Sequence, residues 1–383
     1  MFCAAHAFSM ACDSLYCAWL KVHYPYELYK TMLKLYDEKK NTEKISAIIS
    51  EMKRYKNIQL LIGKWGQNNT DWLIDKEHAT ISQSISSVKY MSKQMAEELY
   101  NLSQQEEAYI GSEFTSDVFK PEVKKELAKL KKQLKPLQQK AKELLANGAD
   151  EFSDEFLAVY DEGYPLEQRI KQLESDDNSY LERAREIKHY VKMDCFTNVL
   201  RAIQMNTTVD TRKIEILIGL NYFQEFGKPG KLMNVYHQFY EGENKLTKTI
   251  KSFNSRLELC RQYESSLEDS DLKTGLRLRY EMDNVGLCLS TCPSMPSNAY
   301  FVTSVDDKYS IKMDLYSMKR GTVGQVKVSK KNYHIVDKGS CIIIDDFKKS
   351  PRYTYNKGQR TIVPGETDIW LTKYHVMTRE EAG

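Results

Sequence analysis

The chain has no run of about 18 apolar residues, the length a helix needs to cross a bilayer, so no membrane span is expected. Its apolar opening lacks a basic leader and contains His6 and Asp13, which argues against a secretory signal. No phosphate loop, zincin helix or nucleophile elbow occurs, and no triad or metal cluster supports a hydrolase. The eight cysteines are scattered. Only Cys288 and Cys292 lie close, and no second pair or histidine stands at zinc-ligand spacing, so reduced thiols and an intracellular setting are expected. Paired acids are few. Asp176-Asp177 and Asp306-Asp307 sit in turn-like sequence, and Asp345-Asp346 point to opposite faces of a strand. The converging carboxylates of two-metal phosphoryl transfer cannot be assembled from them, so no metal ligands are assigned.

What is present is charge, unevenly spread. The net charge is +3. Between Tyr300 and His375 fourteen Lys/Arg stand against eight Asp/Glu, an excess of six, so the rest of the chain is acidic by three. A local excess of this kind suits a module that faces a polyanion.

Helical periodicity begins almost at Met1, with no capping box before it. Small residues (Ala4, Ala7, Ala11, Ala18) run beside bulky ones (Phe8, Leu15, Trp19, Leu20), a pattern that reads as a buried helix continuing something upstream. Pro25 should end this helix or open the next at its first position. Residues 26–36 and 41–56 repeat apolar positions at three and four, the second with Asn41 or Thr42 as cap. Residues 58–81 read as turns around short extended pieces, and 81–103 as helix, tight turn, helix. Residues 120–146 and 165–192 are dense in Lys, Glu, Leu and Gln. They read as a charged helical hairpin joined by residues 147–164, with Pro136 interrupting its first helix. Such charge is ordinarily a solvated face; a partner-binding arm is the alternative. Compact helices follow over 194–265, with Asp210 or Thr211 capping one of them. From Tyr300 the pattern turns to short β-rich runs at 309–318, 322–330, 333–347, 352–360 and 368–374, which suggest a small barrel of the OB type. Its tyrosines (Tyr309, Tyr316, Tyr333, Tyr353, Tyr355) interleave with Lys312, Lys319, Arg320, Lys330, Arg352, Lys357 and Arg360. Aromatic faces for bases beside cations for phosphate are what a single-strand binder needs. A basic barrel with core tyrosines is the plainer reading.

The stretch AHAFSMACDSLYCAWLKVHYPYELY resembles the fingers helix of the C-family replicative polymerase, the bacterial DNA polymerase III alpha subunit. The likeness rests on His6-Ala7, on Lys21 fifteen residues later, and on His23-Tyr24-Pro25. ISSVKYMSK stands where that family has a helix-hairpin-helix, DTRKIEILIGLNYFQEF is similar to a later helical segment, and the basic strands are similar to its OB domain. Phage-type versions are the nearest in character. Residues 115–190 look like an insertion. Where family hairpins carry glycines, Tyr90 and Ser92 stand here.

The resemblance implies a multidomain chain, mainly α and followed by an all-β OB-like barrel. Its parts would be a fingers-like region at 1–80, a helix-hairpin-helix-like domain at 81–265 with the arm at 115–190, a connector at 266–299 and the OB-like domain at 300–377. It implies contacts with nucleotide or template by His6, Tyr16, Lys21 and His23. It implies DNA contacts by Ser87, Lys89 and Lys93, and by Lys312, Tyr316, Lys319, Arg320, Lys330, Tyr333, Arg352 and Tyr353 of the barrel. The implied partners are primer-template and single-stranded DNA, dNTP, an upstream polypeptide bearing the palm, and a sliding clamp. Mg²⁺ would serve the intact polymerase in the bacterial cytoplasm. The palm aspartates have no counterpart here, so no catalytic residue is assigned and no activity is expected of the chain alone. The alternative is a non-catalytic nucleic-acid-binding or scaffold protein of phage or bacterial replication.

Overall fold

The computed structural model describes residues 4–114, 121–148, 150, 152–174, 186–308, 311–334, 336–356, 359–378 and 382. Tyr309, Lys357 and the Asp176-Asp177 pair lie outside the described residues, as do the side chains of Tyr355 and Arg360. The chain divides into two compact units, residues 109–190 and the remainder. It mixes helices with a strand-rich C-terminal region. Among the described residues no helix is long and apolar enough to cross a membrane.

The larger unit opens with α1 (Ala4–His23), α2 (Pro25–Glu38) and α3 (Thr42–Lys56). Pro25 starts α2, where its fixed φ costs nothing and its missing N–H has no partner to lose. Asn41 caps α3, its side-chain oxygen accepting the Lys44 N–H at 3.1 Å. The apolar stripe of α2 (Tyr29, Leu33) meets that of α3 (Ile45, Ile48, Met52). Both close over a small sheet of β1 (Gln59–Ile62), β2 (Leu73–Asp75) and β3 (Thr80–Gln83), ordered β1-β3-β2. The expected buried helix is not buried: α1 has no buried residue, with Phe8 73% and Leu15 71% exposed.

The expected helix-turn-helix over 81–103 is also corrected. Ile81 pairs in the sheet as part of β3, and only one 3₁₀ turn, Ile85–Ser87, precedes the helix α4 (Lys93–Ser103). The cause is Ser84. Its hydroxyl donates to the Asn69 carbonyl at 2.6 Å and accepts the Ser86 N–H at 3.2 Å, ending the strand and allowing a single turn.

The smaller unit contains α5 (Pro121–Ala146) and α6 (Asp154–Glu174) between β4 (Glu107–Phe114) and β5 (Glu186–Lys192), which pair with each other. Three expectations change here. Pro136 lies inside α5 without ending it, α6 starts well before Pro165 rather than at it, and 186–192 is strand. Val123, Leu127 and Leu134 of α5 pack against Ile170 and Leu173 of α6.

The larger unit resumes with α7 (Phe196–Asn206), α8 (Thr211–Gly219), α9 (Pro229–Tyr240), α10 (Phe253–Ser266) and α11 (Thr274–Asn284). Every residue of α7 from Phe196 to Ile203 is buried. Its N-terminus is capped from another helix. The Glu264 carboxylate on α10 accepts the N–H groups of Phe196 and Thr197 at 2.8 and 2.7 Å. Asp210 caps α8 by accepting the Lys213 N–H at 3.1 Å.

Five strands complete the unit: β6 (Ala299–Asp306), β7 (Ile311–Ser317), β8 (Val323–Val328), β9 (Cys341–Asn356) and β10 (Gln359–Val376). They pair in a closed cycle, β6-β7-β8-β10-β9, antiparallel except between β8 and β10. Ile311, Met313 and Leu315 face the interior by strand alternation, with Val326, Val328 and Leu371 opposite. The runs at 352–360 and 368–374 are parts of one long hairpin, and β6 is a strand the sequence pattern did not single out. Gly365, at φ 78°, sits where the β9–β10 register shifts, a conformation costly for other residues.

Candidate nucleic-acid interface

The site is built around the turn Val88–Met91. The Met91 N–H donates to the Val88 carbonyl at 3.1 Å, and the Lys89 N–H donates to Asn284, at the end of α11, at 2.9 Å. Between them Tyr90 is held at φ 69°, the left-handed region, which for a non-glycine residue costs on the order of 1–3 kcal/mol. The ring stands at the surface, 47% exposed, between two cations. The Lys89 ammonium lies 5.0 Å and the Arg212 guanidinium 4.5 Å from its centroid. Arg212 also donates to the phenol oxygen at 3.4 Å. Lys89 foremost, and Arg212 with it, hold the phenol below the usual tyrosine range.

Arg212 projects from the first turn of α8, and α11 supplies the facing wall with Arg279, Tyr280 and Asp283. Lys338, from the connection between β8 and β9, closes the rim of an open cleft of about 550 Å³. Arg279 is fixed by donating to the Gly339 carbonyl at 3.1 Å. Tyr280 donates to Glu215 at 2.7 Å, and its ring lies so close to Gly219 that a Cβ there would stand 2.4 Å away. None of the four cations makes an ion pair among the described residues. The cleft thus gathers four cations, with Glu215 and Asp283 beside them, around an exposed aromatic face, an arrangement that can accept phosphate oxygens.

The other expected contacts fall elsewhere. Ser87 and Lys93 line a separate hollow with Lys34 and Asp71, and Lys93 pairs with Glu97 at 3.9 Å. Lys21 is not a free cation: it pairs with Glu51 at 2.5 Å and lies over the Tyr55 ring. Glu51 is held below the ordinary carboxylate value by Lys21 first and by the Tyr29 hydroxyl. His6 and Tyr16 are exposed on α1, and His23 stacks at 4.7 Å on Trp19.

The barrel leaves Lys319, Arg320 and Lys330 exposed but draws Tyr316, Tyr333 and Tyr353 inward. Tyr316 is 3% exposed, and its hydroxyl donates to the Ser290 carbonyl at 2.9 Å, so it is a core residue and not a stacking platform. Tyr333 packs against the barrel core and Tyr353 is half-buried. Arg352 pairs with Glu366 at 2.7 Å, and Lys312 is half-buried. Lys319, Arg320 and Lys330 are exposed in the turns flanking β8.

Sequence reading found Lys89 and marked Tyr90 as a departure, but it missed Arg212, Arg279, Tyr280 and Lys338. Arg212 had a local signal, being next to a helix cap in DTRK; the others are brought in only by the fold. No protein-family model matches the chain, and a search of curated proteins finds no match. Among the described residues no group of three or more His, Cys, Asp or Glu could hold a metal ion.

Proposed function

We propose that this chain binds nucleic acid as a DNA-holding part of a C-family-like replicative polymerase and has no catalytic centre of its own. The Lys89–Tyr90–Arg212 cleft would take the phosphates of a duplex, and the barrel a single strand. The observation that carries the reading is the cleft: four cations that make no ion pair among the described residues, set around an exposed tyrosine at positive φ. The barrel supports it through its strand order. First, second, third, fifth and fourth strands run in sequence around the cycle, with the third and fifth parallel, as in an OB-fold. The unburied apolar helix α1 supports it as a face for a palm-bearing polypeptide, which would supply the carboxylates for Mg²⁺ and dNTP.

The test is fluorescence anisotropy with labelled primer-template duplex and single strand across a salt series. Each phosphate contact on a duplex contributes about −0.9 to the log–log slope. A slope near zero rejects phosphate-driven binding. In a primer-extension assay the chain alone should add no nucleotide, and metal-dependent extension by it would overturn the division of labour.

A further inference from the structure

We propose that the outer face of α5 is a second nucleic-acid surface, a lysine rail that follows a phosphate backbone. Charge in the helical hairpin is segregated by helix. The α5 sequence holds eight lysines and three glutamates, whereas α6 holds six acids and two bases. Among the described residues the ion pairs between the two helices lie along the seam, Lys131–Glu174 at 2.6 Å and Arg169–Glu126 at 3.0 Å. Val123, Leu127 and Leu134 turn one side of α5 toward α6. At 3.6 residues per turn, Lys125, Lys129 and Lys132 fall on the opposite side, flanked by Lys135, Lys140 and Lys142. All six are exposed and make no ion pair among the described residues.

Spacing and chemistry favour a nucleic-acid backbone over a protein. From Lys125 to Lys142 the rail is about 26 Å long at 1.5 Å per residue. It therefore runs beside several phosphates, which advance about 3.4 Å apart along one strand of a duplex. Lysine is depleted from protein interfaces, which depend on aromatic and arginine anchors. This face has none; the exposed Tyr160 and Tyr164 belong to α6. Lysine ammonium groups bind phosphate as point charges without a fixed fork, so the rail holds backbone and does not read bases.

The inference rests on the proposed function only for the choice of duplex DNA as probe. In the full chain, Lys125→Gln, Lys129→Gln, Lys132→Gln and Lys140→Gln are combined, with circular dichroism to verify the fold. Duplex affinity at low salt should fall about tenfold and the salt slope should flatten by about two to four. Lysine acetylation mapped by mass spectrometry should show these four protected when duplex is bound. Unchanged affinity, slope and labelling overturn the rail, while a variant in Lys89 and Arg212 reports on the cleft separately. Protection by polyglutamate but not by duplex also overturns it, in favour of an acidic protein partner.

Discussion

The cleft and the barrel are both basic, yet they handle their cations and aromatics in opposite ways. In the cleft, Lys89, Arg212, Arg279 and Lys338 come from four separate segments and converge on the exposed ring of Tyr90. In the barrel, Lys319, Arg320 and Lys330 spread over turns, Arg352 is neutralised by Glu366, and Tyr316 serves the core. Net charge alone therefore does not locate a polyanion site. The proposed reading turns instead on cations that converge, because each such donor can exchange its water and counterion for phosphate.

The comparison can be broken by substitution. Lys89→Ala with Arg212→Ala should weaken duplex binding about a hundredfold at low salt, read by anisotropy; each lost phosphate contact removes about one unit of slope. Gly219→Ala forces the Tyr280 ring to move and should cost about 1–3 kcal/mol of stability in a denaturant melt. It should also impair duplex binding, since Tyr280 lines the cleft. Lys319→Ala, Arg320→Ala and Lys330→Ala together should lower single-strand affinity several-fold and leave duplex binding nearly intact. Tyr316→Phe removes the bond to Ser290 and should cost about 0.5–1.5 kcal/mol without changing affinity. An affinity loss from that substitution would return Tyr316 to the interface.

The smallest effect concerns Lys21. Glu51 has its folded value depressed below 4.5 by Lys21, so the pair stabilises the fold above the unfolded value and is lost as pH falls through the folded one. Thermal melts of the wild type should therefore fall more steeply below about pH 4.5 than those of Glu51→Gln. Partly exposed pairs of this kind are worth about 0–1 kcal/mol. Identical pH profiles would leave Lys21 free for a ligand.

Local signals account for what could be read in advance. Asn41 and Asp210 announce helix starts, and apolar spacing gives α2, α3 and the helices from α7 to α10. Other features were decided by distant partners. Ser84 ends β3 by reaching back to Asn69, and Pro165 is absorbed within α6. The contrast between α1 and α7 is sharper. Both are apolar, but one has no buried residue and the other has a buried run from Phe196 to Ile203. Periodicity reports an apolar surface and says nothing of whether a partner covers it. The cleft was half legible for the same reason: Lys89 and Tyr90 share a turn, while Arg212 lies more than a hundred residues away and meets them only in the fold.

The most direct test of the central claim is the salt dependence of duplex affinity, compared between the wild type and the Lys89→Ala, Arg212→Ala double variant. Two phosphate contacts in the cleft predict that the variant's log–log slope is shallower by about two. Equal slopes, with or without a change in affinity, would contradict the assignment of the cleft to phosphate.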